Sequence, residues 1–419
     1  MKKLLFLLSF LSIMVVFNAC QKDCTVTYTY LGLKPYIVSY KEIRDIRVSS
    51  PRAITNYGAT TVYGNYIYIA DNQKGIHIFD NSNPSNPVQT AFILLPGAEN
   101  LIINNGKLYA NGYIDLFIFD LNNPSLPSLV AERYNFFPTT YEKTNEGIIA
   151  YTLQKMNKEC NCGEKPELVE EYADGMKFVR VENEDLSVGS DGNIRVAPNS
   201  ESAQVTKSII GSTSKYAINN EALYILNDSE IKAYNLDNPL QPILISNSKI
   251  QQGETVFPMD KYLMIGTTSA ILVYEINADK SLTYVSRLDH TTQCDPVIAK
   301  DNYAYATLKS GSGCGWGNSA LLIADISNIR YPREVNTFQM SSPNGLGFVG
   351  NSLVVTDGAK GVKVFNLTNP THPSFKEAID IKNGNDILSL KENRFLVTSD
   401  AGIYQFELGK EKSTLISKL

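Results

Sequence analysis

The chain is poor in the residues that usually carry catalysis. Its 419 residues include one tryptophan and three histidines, which lowers the prospect of acid–base or metal chemistry built on imidazole. Basic residues are not in excess: 38 Lys and Arg stand against 43 Asp and Glu, a net charge of −5. That excludes the electrostatic footprint expected of a nucleic-acid binder. Sustained helical periodicity is missing from the body of the chain. Gly311-Ser312-Gly313 is no phosphate cradle, because no Lys-Ser/Thr follows it and no helix begins there. Tyrosine, by contrast, is plentiful at 24 residues, and it suits strands and half-buried surfaces.

What the chain does have is a repeated phrase. Gly75-Ile76-His77-Ile78-Phe79-Asp80-Asn81-Ser82-Asn83-Pro84 returns as Asp115-Leu116-Phe117-Ile118-Phe119-Asp120-Leu121-Asn122-Asn123-Pro124. It returns again at Ile231–Pro242 and Val362–Pro373. Each copy reads as a β-rich run stopped by Asn-Pro, since proline lacks the N–H and fixes φ. Another β-rich run lies upstream of each, often behind a Gly-Asn or Asn-Gly hairpin signal such as Gly64-Asn65 or Asn105-Gly106. A more polar strand follows, as in Arg333–Phe338. The unit is therefore four antiparallel strands, here lettered a to d, in about forty residues.

Aligning the last apolar residue of strand c gives Phe79, Phe119, Tyr234, Tyr274, Ala324, Phe365 and Phe406, spaced by 40, 115, 40, 50, 41 and 41 residues. The long gap predicts one further unit, with Met176–Val181 as its strand c. The fold class is all-β, a propeller of eight four-stranded blades, with seven the alternative because the third unit is degenerate. Ile43–Val48 and Thr414–Ser417 both read as outer strands, either of which could complete the last blade with the chain's other end. One propeller domain spans residues 43–419, with insertions at about 154–174, 187–208 and 309–318.

On these residues the chain resembles the LVIVD-repeat propellers abundant in lipoproteins of Bacteroidota-type bacteria. The resemblance covers roughly residues 37 to 410 and is strongest in the first two units. Ile276-Asn277-Ala278-Asp279 departs from the pattern, lacking both prolines. It implies fold and compartment, not an activity.

The N-terminus reads as a targeting signal. Lys2 and Lys3 precede an apolar stretch, Leu4 to Phe17, too short for a secure span. Phe17-Asn18-Ala19-Cys20 is similar to a lipobox, giving a signal peptide over 1–19 and lipidation at Cys20. The lipid would hold the chain to the membrane, each buried CH₂ contributing about 0.8 kcal/mol. Gln21-Lys22-Asp23 resembles a surface-export signal, favouring an outer-membrane lipoprotein exposed on the cell surface over one facing the periplasm. Residues 20–42 are expected to be the lipidated end and a spacer.

Propeller topology puts d–a and b–c loops on one face. The insertions at 154–174 and 309–318 are both expected in b–c loops, so that face is decorated. Cys294 and Cys314 then fall on one blade of it. An exported chain permits a disulfide between them, closing a loop of about twenty residues and contributing roughly 3 kcal/mol. Cys160 and Cys162 admit a tight disulfide, other pairings including Cys24, or metal or redox use. His290 with Cys294 and Cys314 has no recognised metal spacing. Trp316, flanked by glycines, either meets a sugar ring or partner or folds back on its blade. Asp71, Asp115, Asp357 and Asp400 (with Asp228) recur at the b–c turns, and with Asp295 they mark the same face for a polar ligand; turn chemistry alone also accounts for them.

Three readings follow. The first is a non-catalytic binding module for a protein or glycan, with no cofactor. The second is a structural envelope protein. The third is a propeller hydrolase or lyase acting on a small or carbohydrate substrate, for which Glu142, Asp295 and His290 would have to converge.

Overall fold

The repeated phrase folds as strand c of a four-stranded antiparallel sheet wherever it occurs. The protein is seen here in a computed structural model that describes residues 25–137, 141–161, 170–173, 176–180, 209–291, 296–310 and 317–419. The chain forms two compact units, one of residues 1–37 with 149–188 and one of 38–148 with 189–419.

The larger unit is the propeller. Blade 1 runs Tyr57–Tyr63, Tyr66–Asp71, Gly75–Asp80 and Val88–Leu94. Blade 2 runs Leu101–Asn104, Lys107–Gly112, Asp115–Asp120 and Ser128–Arg133. Blades 3, 4 and 5 begin at Tyr216, Gly253 and Val297, and blades 6 and 7 at Pro343 and Gly384. Each is ordered a-b-c-d. Middle strands such as Tyr66–Asp71 are buried along their whole length, as expected where blades pack on both faces. Every residue used to align the repeats marks the point where the c–d register slips by one. Thr90, Val130, Ile245, Val285, Val335, Lys376 and Ile416 are the extra residues on strand d.

Seven apolar clusters join these sheets, one at each junction. The first links blades 1 and 2 through Ile76, Ile78, Phe117 and Phe119. The last packs Ile67 and Ile69 of blade 1 on Leu396 and Ile403 of blade 7. The ring among the described residues therefore has seven blades, the alternative count given with eight. Met176–Arg180 is a strand, but not a blade's strand c. It pairs antiparallel with Glu170–Ala173 and parallel with Thr25–Ser39, Gly32 opposite Val179. These strands belong to the smaller unit, together with most of the fifteen-residue strand Gly147–Asn161. The gap in the repeat spacing pointed to a strand correctly but said nothing about its partner. The described residues of the insertion at 154–174 thus lie in these strands rather than in a b–c loop. Residues 25–39, expected as spacer, form a strand rich in Thr, Tyr, Val and Ile.

Among the described residues, ring closure involves no exchange of strands. Thr414–Lys418 is strand d of blade 7 and pairs with its own neighbour, Gly402–Glu407. Arg47–Ser49 is instead a fifth, outer strand on blade 1, with Arg47 opposite Leu94. Ahead of it Tyr40–Ile43 makes one helical turn, closed by a Ser39–Glu42 capping box and anchored by the fully buried Ile43. No helix among the described residues is long and apolar enough to cross a membrane.

Polar staples reinforce each junction. The third residue of strand b is a buried tyrosine in four blades, and its hydroxyl donates to a carbonyl in the next blade's c–d turn. Tyr68 reaches Pro124, Tyr109 Pro239, Tyr224 Lys280 and Tyr305 Pro370, at 2.9 to 3.2 Å. The other three junctions use Ser286 to Ile329, Lys376 to Gly409 and Gln405 to Pro84. The Asn-Pro of the repeat thus ends a strand and also presents the acceptor for the preceding blade.

Candidate functional site

The face formed by d–a and b–c loops is organised by carboxylates at the b–c corners. Asp71 accepts the Thr55 and Asn56 N–H groups at 3.0 and 2.9 Å, the Thr55 hydroxyl at 2.7 Å and a contact from His77 Nε2 at 3.2 Å. Burial pushes its carboxyl up, but the bonds from Thr55, His77 and Asn56 bring it below the usual value. Asp357 takes the Ser341 and Ser342 N–H groups at 2.8 Å each and pairs with Lys363 at 2.6 Å. In blade 2 this corner is Asn111, whose Oδ1 accepts from Glu99 and Asn100 N–H. Asp115, next along, holds Asn135 N–H at 2.6 Å and Arg44 Nε at 3.0 Å. In each case a side chain ties down the loop that feeds strand a or leaves strand d. Asp400 is exposed and accepts from Asn385 at 2.8 Å; Asp228 pairs with Lys215 at 3.2 Å.

The insertion at 309–318 does lie in a b–c loop, between Leu308 and Ala320 of blade 5. Its base is pinned by Ser310, whose N–H and hydroxyl meet Ser319 Oγ at 3.2 and 3.0 Å. Trp316, Asp295, Cys294, Cys314, Cys162, Cys24 and Cys20 lie outside the described residues, as does the insertion at 187–208; Cys160 is described in its backbone only. Glu142 is exposed beyond blade 2, whereas His290 follows strand d of blade 4 and has Nδ1 2.7 Å from the Thr291 carbonyl. No metal-holding group of His, Cys, Asp and Glu occurs among the described residues.

The feature that sequence reasoning missed is on the axis. Residues 209–214 run along the inner edge of the ring before blade 3 begins. Ile209 and Ile210 pair with Val62 and Thr61 of blade 1's strand a, and the Thr61 hydroxyl donates to the Ile209 carbonyl at 2.9 Å. Ser212 and Thr213 then offer their N–H groups and hydroxyls to the Asp386 carboxylate of blade 7, at 2.6 to 3.0 Å. Ser212 Oγ also accepts Leu346 N–H of blade 6 at 2.9 Å, and the Ser214 carbonyl accepts Val256 N–H of blade 4. A Cβ at Gly211 would fall on the Asp386 carboxylate, so only glycine allows this approach. Burial pushes the Asp386 carboxyl above its usual range, against the pull of Thr213, Ser212 and Ile387. One short peptide therefore joins four blades at the centre. Its only sequence signal is a run of small donors, Gly211-Ser212-Thr213-Ser214, at the end of the long gap.

The comparisons agree with this architecture. The LVIVD repeat matches residues 59–91, which are strands a to c and part of strand d of blade 1. Among curated proteins nothing matches the chain. Among solved structures it is similar to the computationally designed protein Ika8, at 9% identity and a TM-score of 0.51 over 88% of this chain and 89% of that one. It is similar also to Kluyveromyces lactis Hsv2, at 9% identity and 0.50 over 87% and 99%. BamB from Moraxella catarrhalis aligns at 8% identity and 0.46 over 92% and 99%. At such identities the first two likenesses establish the β-propeller fold alone.

Proposed function

We propose that this protein is a lipid-anchored envelope propeller that binds a macromolecular partner, a protein or a glycan, on the face carrying the Lys309–Asn318 loop. The observation that carries the reading is the axial segment. Ser212 to Ser214 bond across the ring near the ends where strands a begin. The corner acids of that face are engaged with its own loops rather than with a shared centre. A partner there meets a broad loop surface on a stiff scaffold, which suits a large ligand better than a small substrate. Cys20, placed after Ala19, supports lipidation, and Lys22-Asp23 favours the cell surface over the periplasm.

Crosslinking and capture from intact cells tests both parts. The native chain is compared with Cys20→Ser and with a chain whose residues 310–317 are a short Gly-Ser turn. Membrane retention should be lost only in the first variant, and a specific partner only in the second. Equal capture by the native and loop-replaced chains would remove the decorated face from the reading.

A further inference from the structure

At the opposite end of the ring the axis is not filled by any of the described residues. A cavity of about 330 Å³ opens there, the size of about ten waters and at the small end of ligand pockets. Ile102 and Ile103 close blade 2's side, Ile218 and Asn219 blade 3's, and Pro258 and Asp260 blade 4's, with Ile210 of the axial segment as the floor. All but Ile210 sit near the ends of strands a, next to the a–b turns. The cavity therefore faces away from the loop surface discussed above and does not depend on that reading.

Aliphatic side chains from Ile102, Ile103, Ile210, Ile218 and Pro258 share its walls with polar groups of Asn219 and Asp260. Asn219 is 8% exposed. Its Nδ2 donates to the Asp260 carbonyl at 2.5 Å, while its Oδ1 accepts no hydrogen bond among the described residues. An acceptor without a protein donor, on a mostly buried side chain that lines a cavity, favours a ligand that brings the donor. The exposed Asp260 adds a carboxylate at the rim. The adjacent Lys261 does not neutralise it, being bonded to Glu275 at 2.6 Å. Aliphatic side chains, one open acceptor and one anion favour an apolar body with a donating, positively charged head.

We propose that this cavity is a binding site for a small primary amine. Its hydrocarbon or aromatic body sits among Ile102, Ile210, Ile218 and Pro258, and its ammonium group between Asn219 Oδ1 and Asp260.

Calorimetric titration of the full chain near neutral pH with phenethylamine, phenethyl alcohol and hydrocinnamate tests this. Phenethylamine is expected to saturate one site about tenfold more tightly than the alcohol, and hydrocinnamate not to bind. Asp260→Asn, at an exposed turn position, should bring the amine to the level of the alcohol. Ile210→Trp, which fills the cavity, should abolish binding of both, with an unchanged melting curve reporting that the ring is intact. Absence of saturable amine binding, binding of the carboxylate as tight as that of the amine, or an unaltered preference in Asp260→Asn would each overturn the proposal.

Discussion

His77 illustrates how the repeat's ordinary positions carry unequal weight. It is fully buried, with Nε2 3.2 Å from Asp71 and Nδ1 2.7 Å from Gln89 Nε2, and its ring lies 4.6 Å from that of Phe92. Burial pushes the imidazole pKa down, against the pull of Asp71. The unfolded chain therefore takes up this proton first as the pH falls. The associated stability is complete above about pH 6.5 and is lost as the pH drops through the lower folded value. His77→Gln is expected to flatten the stability profile between about pH 6.5 and 5, measured by urea unfolding at each pH. An unchanged slope would assign the acid sensitivity to other groups. In the sequence, His77 and Asp71 read as a strand residue and a turn residue. Their pairing needs the hairpin register that sets Asp71 opposite Gly75, which residue types alone do not specify.

Between blades, the two loudest sequence signals turn out to be two halves of one interaction. Tyrosine abundance suggested strands, and Asn-Pro suggested turns. The staples join them across 56 to 130 residues, too far for any local pattern to reveal. Burial lifts the tyrosine pKa values, that of Tyr305 to about 12, so the hydroxyls remain donors at physiological pH. Tyr109→Phe deletes one bond while keeping the ring, leaving the Pro239 carbonyl without its donor. We expect a loss of about 1 kcal/mol in urea unfolding; no loss would mean that water replaces the hydroxyl. The alignment residues from Phe79 to Phe406 were legible for a structural reason too. Each sits at the c–d slip, where the strand bends, so both packing and register constrain it.

For the whole molecule, the fold class and seven of the eight proposed units could be read directly, because each unit repeats the same pattern. The eighth could not be distinguished from a strand that pairs elsewhere, and the axial segment has no counterpart in any repeat. Gly211→Ala addresses its contribution to ring closure. The added methyl must displace the Asp386 carboxylate or the backbone beside it, and a loss of roughly 2 to 3 kcal/mol is expected. A neutral result in denaturant unfolding would mean that the apolar junctions close the ring unaided.

The same short peptide also bears on how quickly the ring can form. Ser212 and its acceptor Asp386 lie 174 residues apart, and Leu346, also bonded to Ser212, lies 134 away. Loop-closure entropy must be met before such contacts contribute, and folding slows as native contacts become more distant in sequence. Local hairpins and neighbouring blades can assemble early, one after another. The centre has to wait for blades 6 and 7, and until they arrive Ser212 and Thr213 have only water for their hydrogen bonds. Refolding should therefore be biphasic, with fast gain of sheet and a slower final step in which the ring locks around its own chain.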